Sequence, residues 1–259
     1  MFSFLFAVTL FLFSLVNKQR IEKYGFRLVE QIDETSKTVV WKAVQKALDR
    51  TVVLRILKEE EAGNPAEVKH FLALARKFAR IKSDSLAAVF DIVSEDDLHY
   101  VVMEHVEGPT LEEHVTRQGP LPVEHALRIA ASLVVSLDQL WATAQIVHRN
   151  LKSSTIRLDR RGVAKITEFS LAIEAGPEVN ATAMDDGLIV GTPCFLSPEQ
   201  ALGSHQLTTQ SDMYALGIVL YHLVTGIVPF EDLDVVSILA AHIKQQIPPP
   251  HRVRRDIPV

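Results

Sequence analysis

The run His148-Arg149-Asn150-Leu151-Lys152 decides the fold, and the rest of the chain is read outward from it. Downstream, after the strand-like run Val163 to Ile166, comes Thr167-Glu168-Phe169-Ser170. Gly191-Thr192-Pro193 and Ser197-Pro198-Glu199 follow, and then Ser211-Asp212-Met213-Tyr214-Ala215-Leu216-Gly217. Upstream lies Val52-Val53-Leu54-Arg55, inside an apolar run that predicts a buried strand over 52–57. Each motif alone is weak. All of them in this order, at these separations, do not arise by chance.

Composition bounds the remaining choices. The 259 residues are enough for one two-lobed domain with a sizeable core, and 47% hydrophobic with 23% charged residues excludes wholesale disorder. The net charge of −5, with no dense Lys/Arg block, argues against nucleic acid as a partner. Cys194 is the sole cysteine, so no intrachain disulfide can form, which suits a reducing compartment. No C-x-x-C or H-E-x-x-H spacing supports a dedicated metal site.

Periodicity supplies the elements. Residues 24 to 40 read as two strands joined by a polar turn at 33–37. Asn64-Pro65 offers a helix N-cap and a first-turn proline, and Val68, Phe71, Leu72, Ala75, Phe78 and Ile81 extend one helix over 65–81. Residues 100–103 form another strand, ending at Glu104. Leu121-Pro122 opens a helical half, in which Leu127, Ala130, Leu133, Val134, Leu137 and Trp141 predict a long buried helix. Residues 212–225 predict a central helix stopped by Gly226 and Pro229, and Ser237 to Gln245 a last helix before Pro248-Pro249-Pro250.

These motifs resemble the protein kinases, and among them the bacterial serine/threonine kinases of eukaryotic-like type, over about residues 24 to 259. The resemblance implies an α+β bilobal fold. A small antiparallel-sheet N-lobe with one helix would span 24–104, and a mainly helical C-lobe 107–259. The family pattern continues with two further helices, one bearing an arginine for the glutamate matched here by Glu199, so a C-lobe lacking its last helices is expected.

The same resemblance assigns the site, position by position. In the catalytic loop H-R-D-L-x-x-x-N, the Asp takes the substrate proton and the Asn holds magnesium. Here Asn150 stands at the base position, with Lys152 retained, and Thr155 stands at the metal position. An amide has no useful basicity near neutral pH. Glu168 replaces the D-F-G aspartate as the second metal-site candidate, its oxygens displaced by roughly 1 to 1.5 Å, which octahedral magnesium tolerates poorly. Asp33, Thr35 and Thr38 fall on the three glycine positions of the phosphate loop. Arg55 replaces the phosphate-binding lysine, and the two cations are not interchangeable. Its helix partner, normally Glu, is Leu74, read as a core leucine, which leaves Glu168 as a candidate acceptor. Val40 and Val53 roof the purine slot, Met103, Glu104 and Val106 take its hinge positions, and Arg157 falls at its normally apolar floor, where its charge is costly to desolvate and its side chain either fills the slot or points outward. Asp212, His148, Phe169, Phe78, Val89 and Thr192 keep scaffold types.

Retained scaffold beside altered chemistry is the pattern of a pseudokinase acting as a signalling scaffold or regulator. Two alternatives remain: a weakly active serine/threonine kinase with a rearranged site, and an ATP-sensing domain without transfer. No cofactor is expected, with ATP and magnesium the pair required if activity persists. The expected partners are proteins, an active kinase among them.

The N-terminus adds a location. Residues 1 to 16 carry only Ser3, Thr9 and Ser14 as polar residues, and Lys18, Arg20 and Lys23 follow. Sixteen helical residues span roughly 24 Å, against ~30 Å of hydrocarbon. Three readings stand: a short anchor placing the domain on the cytoplasmic face of a membrane, a hydrophobic docking helix, or a start-site artefact.

Overall fold

The computed structural model describes residues 19–174, 191–204, 206–231 and 233–258. Residues 1–16, with the expected anchor, lie outside the described residues. Among those described, no helix is long and apolar enough to cross a membrane. The chain forms two compact units. Of the described residues, one holds 19–80 together with 88–105, and the other holds 81–87 together with those from 106 onward.

The first unit is a five-stranded antiparallel sheet in the order β1-β2-β3-β5-β4. Its strands are β1 (Phe26–Glu34), β2 (Thr38–Gln45), β3 (Arg50–Leu57), β4 (Val89–Glu95) and β5 (Leu98–Glu104). The near-continuous apolar run of β3 follows from its central place, paired with β2 on one side and β5 on the other. Phe26, Ala43, Val52, Leu54, Leu98, Tyr100 and Val102 build one core. Helix α1 (Glu59–Ala62) is short. Helix α2 (Pro65–Phe78) starts where the sequence predicts, with the Asn64 side chain accepting from Ala66 N at 3.0 Å and Pro65 in its first turn. It stops at Phe78, so Ile81 is not part of it. The chain leaves the helix there, and residues 85–87 run alongside Ile166 in the second unit, with Ile166 N donating to Ser85 O and Ala87 N to Ile166 O. Leu74 is buried in the α2 core face, as expected.

The second unit is mainly helical: α3 (Leu111–Gln118), α4 (Val123–Ala144), α5 (Pro198–Ala201), α6 (Thr209–Thr225), α7 (Val235–Lys244) and α8 (Pro250–Val253). Two small ribbons, β6 (Ile146–Val147) with β9 (Ile173–Glu174) and β7 (Ile156–Leu158) with β8 (Ala164–Ile166), frame the loop at 148–155. Helix α6 is buried on most faces and ends at Gly226 in the left-handed region (φ +87°). Two expectations are corrected. The buried stripe of α4 runs through Ala126, Ile129, Leu133, Ser136, Leu137 and Leu140, leaving Leu127 and Val134 in solvent. Helix formation also resumes after the prolines, because Pro250 can open a first turn where its missing N–H costs nothing.

Candidate active site

The loop His148–Thr155 is held from below by one carboxylate. Asp212, in the first turn of α6, accepts from His148 N (2.7 Å) and Arg149 N (2.8 Å). Burial pushes the Asp212 carboxyl above the usual carboxylate range, against the opposing pull of the two backbone amides. Arg149 needs that hold, since its φ of +67° is uncommon for a residue with a side chain. Its carbonyl accepts from Gln200 Nε2 at 3.0 Å, while Gln200 also closes a capping box with Ser197 at the start of α5. Burial lowers the Arg149 guanidinium from its ordinary value.

His148 is fully buried. Its Nε2–H donates to the Glu168 carbonyl, and Nδ1 accepts from Asn150 N at 3.4 Å. These two partners hold the ring in one orientation. Asn150, expected at the base position, has its own carbonyl engaged by Thr155 Oγ1 at 3.2 Å. Thr155 Oγ1 also lies 3.0 Å from Lys152 O and accepts from Lys152 N at 3.3 Å. The hydroxyl expected at the metal position thus closes the loop on itself. Thr167, beside Glu168, donates both N and Oγ1 to Thr155 O at 3.0 Å each. The buried Glu168 carboxylate turns back to accept from Ser170 N at 2.6 Å. Among the described residues no cluster of His, Cys, Asp or Glu is placed to hold a metal ion. Lys152 Nζ donates to Thr192 Oγ1 at 2.9 Å, joining the loop to the segment that leads into α5.

Arg157 lies on β7, and its side chain is accounted for. Nε and Nη2 both donate to Gly108 O, at 3.1 and 2.7 Å, and Nη2 stands 4.0 Å from Glu113. The guanidinium turns to a carbonyl and a carboxylate beside α3, polar partners of the kind that a hydrophobic slot withholds. Gly108 is required there: at φ +140°, an added Cβ would lie 2.0 Å from Leu158 O. Val106 is buried just before it.

In the first unit, Asp33 and Glu34 pair with Val40 and Val39, so the phosphate-loop positions form an ordinary hairpin. The Asp33 carboxylate accepts from Glu34 N at 2.8 Å. Thr35 N donates to Thr38 O (2.8 Å), and Thr38 N to Thr35 Oγ1 (2.9 Å), which seals the turn. The buried Arg55 donates from Nη1 to Thr38 Oγ1 at 3.1 Å. Lys37 reaches Glu67 on α2 at 2.8 Å, and Lys58 reaches Glu34 at 2.5 Å. Val40 and Met103 are buried, Val53 is half-buried, and Glu104 accepts from Ala88 N at 3.1 Å.

Sequence reading missed four supports: Gln200, the buried Ser153–His222 contact (2.7 Å), Thr167, and the Gly108 carbonyl. Only Gly108 carried a local signal, as the glycine of Glu107-Gly108-Pro109 just past the predicted hinge. The others depend on contacts between distant segments.

Comparison with known proteins agrees with this geometry. The protein kinase domain profile matches residues 26–257. A probable serine/threonine-protein kinase of Clostridium perfringens is 33% identical over 233 residues, covering 90% of this chain and 33% of that protein. Serine/threonine-protein kinase PrkC of Bacillus subtilis is 35% identical over 219 residues, covering 85% of this chain and 33% of its own length. Serine/threonine-protein kinase PknA of Mycobacterium tuberculosis is 34% identical over 231 residues, 86% of this chain and 52% of its own. The chain spans about a third of the length of the first two of these relatives. With the two compact units, the Asp212-held loop and a profile match across nearly all the described residues, the chain belongs to the protein kinase domain family, with bacterial serine/threonine kinases as its relatives.

Proposed function

We propose that this serine/threonine protein kinase domain is a pseudokinase, a signalling scaffold or regulator without efficient phosphoryl transfer. The observation that carries the reading is the loop itself: an amide, Asn150, at the base position, with the neighbouring Thr155 hydroxyl turned inward onto Asn150 O. Losing a general base typically costs about 10²- to 10⁴-fold in rate. A kinase domain that transfers phosphate uses ATP and magnesium. The residues here fit that pair poorly, since one carboxylate occupied by Ser170 N and one inward hydroxyl make a weak donor set for octahedral magnesium. Asp33, in place of a glycine, adds repulsion to a triphosphate.

The proposed partners are proteins, including an active kinase, and residues 1–16 would hold the domain at the cytoplasmic face of a membrane. Finding the full chain in the soluble fraction, unchanged on deletion of 1–16, rejects that location.

A second reading, a weakly active serine/threonine kinase, draws support from the Lys152–Thr192 contact and the Asp212 hold, both of which a working site would need. Incubating the purified chain with magnesium-ATP and basic protein substrates separates the two. No transfer is expected. Autophosphorylation that disappears in Glu168→Ala would overturn the pseudokinase reading. Thermal stabilisation by ATP without transfer would favour a nucleotide-sensing domain.

A further inference from the structure

The hairpin at 33–38 is tied down by its own side chains. Arg55 on β3 is 2% exposed and Thr38 is 3% exposed, and Arg55 Nη1 donates to Thr38 Oγ1 at 3.1 Å. Thr38 Oγ1 lies 3.0 Å from Thr35 Oγ1, which in turn donates to Thr38 O at 3.3 Å and accepts from Thr38 N at 2.9 Å. Because Thr38 Oγ1 already accepts from the guanidinium, its own proton goes to Thr35 Oγ1, and both hydroxyls are spent inside the hairpin. Threonine is stiff at χ1, so the Thr38 side chain keeps this inward setting. Two partly exposed ion pairs pin the same turn. Lys37 Nζ reaches Glu67 on α2 at 2.8 Å, and Lys58 Nζ reaches Glu34 at 2.5 Å, while Lys58 N donates to Lys37 O at 2.9 Å.

A guanidinium is suited to carboxylate or phosphate oxygens, yet here one of its N–H groups holds a neutral hydroxyl. A phosphate loop relies on bare glycine where the backbone comes close to the anion. A threonine at such a position, turned inward, puts its own oxygen on the cation instead. We propose that the hairpin at 33–38 is an autoinhibitory latch. Thr38 stands in for a phosphate oxygen on Arg55, and the Lys37–Glu67 and Lys58–Glu34 pairs hold the hairpin in that closed setting. The inference rests on the reading of Arg55 as the phosphate-facing cation of an altered nucleotide site. The two kinds of contact differ in weight. An exposed ion pair shifts an equilibrium by about 1.5- to 5-fold, whereas a hydrogen bond from a charged group is worth about tenfold or more. Thr38 is therefore the bolt, and the ion pairs set how often the hairpin opens. The latch is reversible, since apparent affinity for an anion falls only by the fraction of open hairpin.

Calorimetric titration of the full chain at low salt, with metal-free tripolyphosphate and metal-free ATP as probes, tests the latch. Thr38→Gly uncovers Arg55 and should bind about tenfold or more tighter than the parent. Adding Arg55→Met should remove that gain. ATP binding tighter than tripolyphosphate in Thr38→Gly identifies a nucleotide as the excluded ligand, and equal binding a free phosphate chain. Lys37→Met should tighten binding by about 1.5- to 5-fold and speed hydrogen exchange at Thr35 N and Thr38 N. The sign decides the matter. Removing a lysine weakens a purely electrostatic attraction for an anion, and it strengthens binding only where that lysine holds the hairpin shut. A thermal melt checks the fold of each variant, and Lys37→Met keeps the test open should Thr38→Gly unfold. A parent that binds as tightly as Thr38→Gly, or weaker binding in Lys37→Met, overturns the latch and leaves Arg55 an open anion site. Binding in no variant overturns the reading of Arg55 itself, and the latch with it.

Discussion

Replacing Asp212 by alanine tests whether one buried carboxylate holds the catalytic loop. The residue is 3% exposed, and its two oxygens each take one backbone amide, His148 N at 2.7 Å and Arg149 N at 2.8 Å. Alanine leaves two amides unsatisfied, each at about 1–3 kcal/mol. One effect opposes this. Burial holds the Asp212 carboxyl above its ordinary range, so the ionised group carries a desolvation cost that alanine removes. The net expectation is a loss of about 3 kcal/mol, or roughly 6–12 °C in melting temperature for a domain of this size. Asparagine keeps one acceptor and should lose about half as much. Thermal unfolding by circular dichroism gives the global number. Hydrogen exchange at residues 148 and 149 gives the local one, and both amides should lose protection in Asp212→Ala. Arg149 adds to the effect, because its left-handed backbone has no other support from Asp212 once those bonds go. An alanine variant melting within about 2 °C of the parent, with unchanged exchange at 148–149, would refute the assignment of Asp212 as the hold.

Three other outcomes follow from the geometry. The buried His222 and His242 are held by burial below the ordinary imidazole value of 6.5. The unfolded chain therefore takes up protons that the folded chain does not, and stability should fall as pH drops below about 6.5, by up to ~1.4 kcal/mol per unit for each histidine. A urea midpoint at pH 5.5 equal to that at pH 7.5 would contradict this, and His222→Asn should shrink the difference. Arg254 donates to Leu121 O and Val224 O, both at 2.9 Å, so Arg254→Ala should cost about 2–3 kcal/mol in denaturant titration, with the exposed Asp256→Ala costing less. Gly108→Ala would place a methyl 2.0 Å from Leu158 O and should prevent soluble expression, whereas Gly25→Ala, with nothing within 4 Å, should remain soluble.

How much of this was legible beforehand depended on the range of the interactions. The apolar run of β3, the Asn64 cap on α2 and the Gly226 stop on α6 are local signals, and each stands where the residues put it. The α4 face was misjudged because Leu127 and Val134 fit the same helical period as the true core, rotated to one side. Period alone cannot tell a buried stripe from an exposed apolar one when a helix carries both. Arg157 shows a related limit, since its side chain could fill the slot or point outward. Its position along β7 was legible from motif counting, but the Gly108 carbonyl that draws its guanidinium aside lies 49 residues away. Motif spacing fixes where a backbone position falls, while a long charged side chain goes to whichever polar partners the tertiary fold supplies. That distinction bears on the altered site as a whole. Asn150, Thr155, Glu168 and Arg157 are expected at family positions, and three of them place a polar atom on backbone: Thr155 on Asn150 O, Glu168 Oε1 on Ser170 N and Arg157 on Gly108 O. Such internal bonds hold these side chains in place without a ligand, and under the proposed pseudokinase reading they would serve the scaffold rather than phosphoryl transfer.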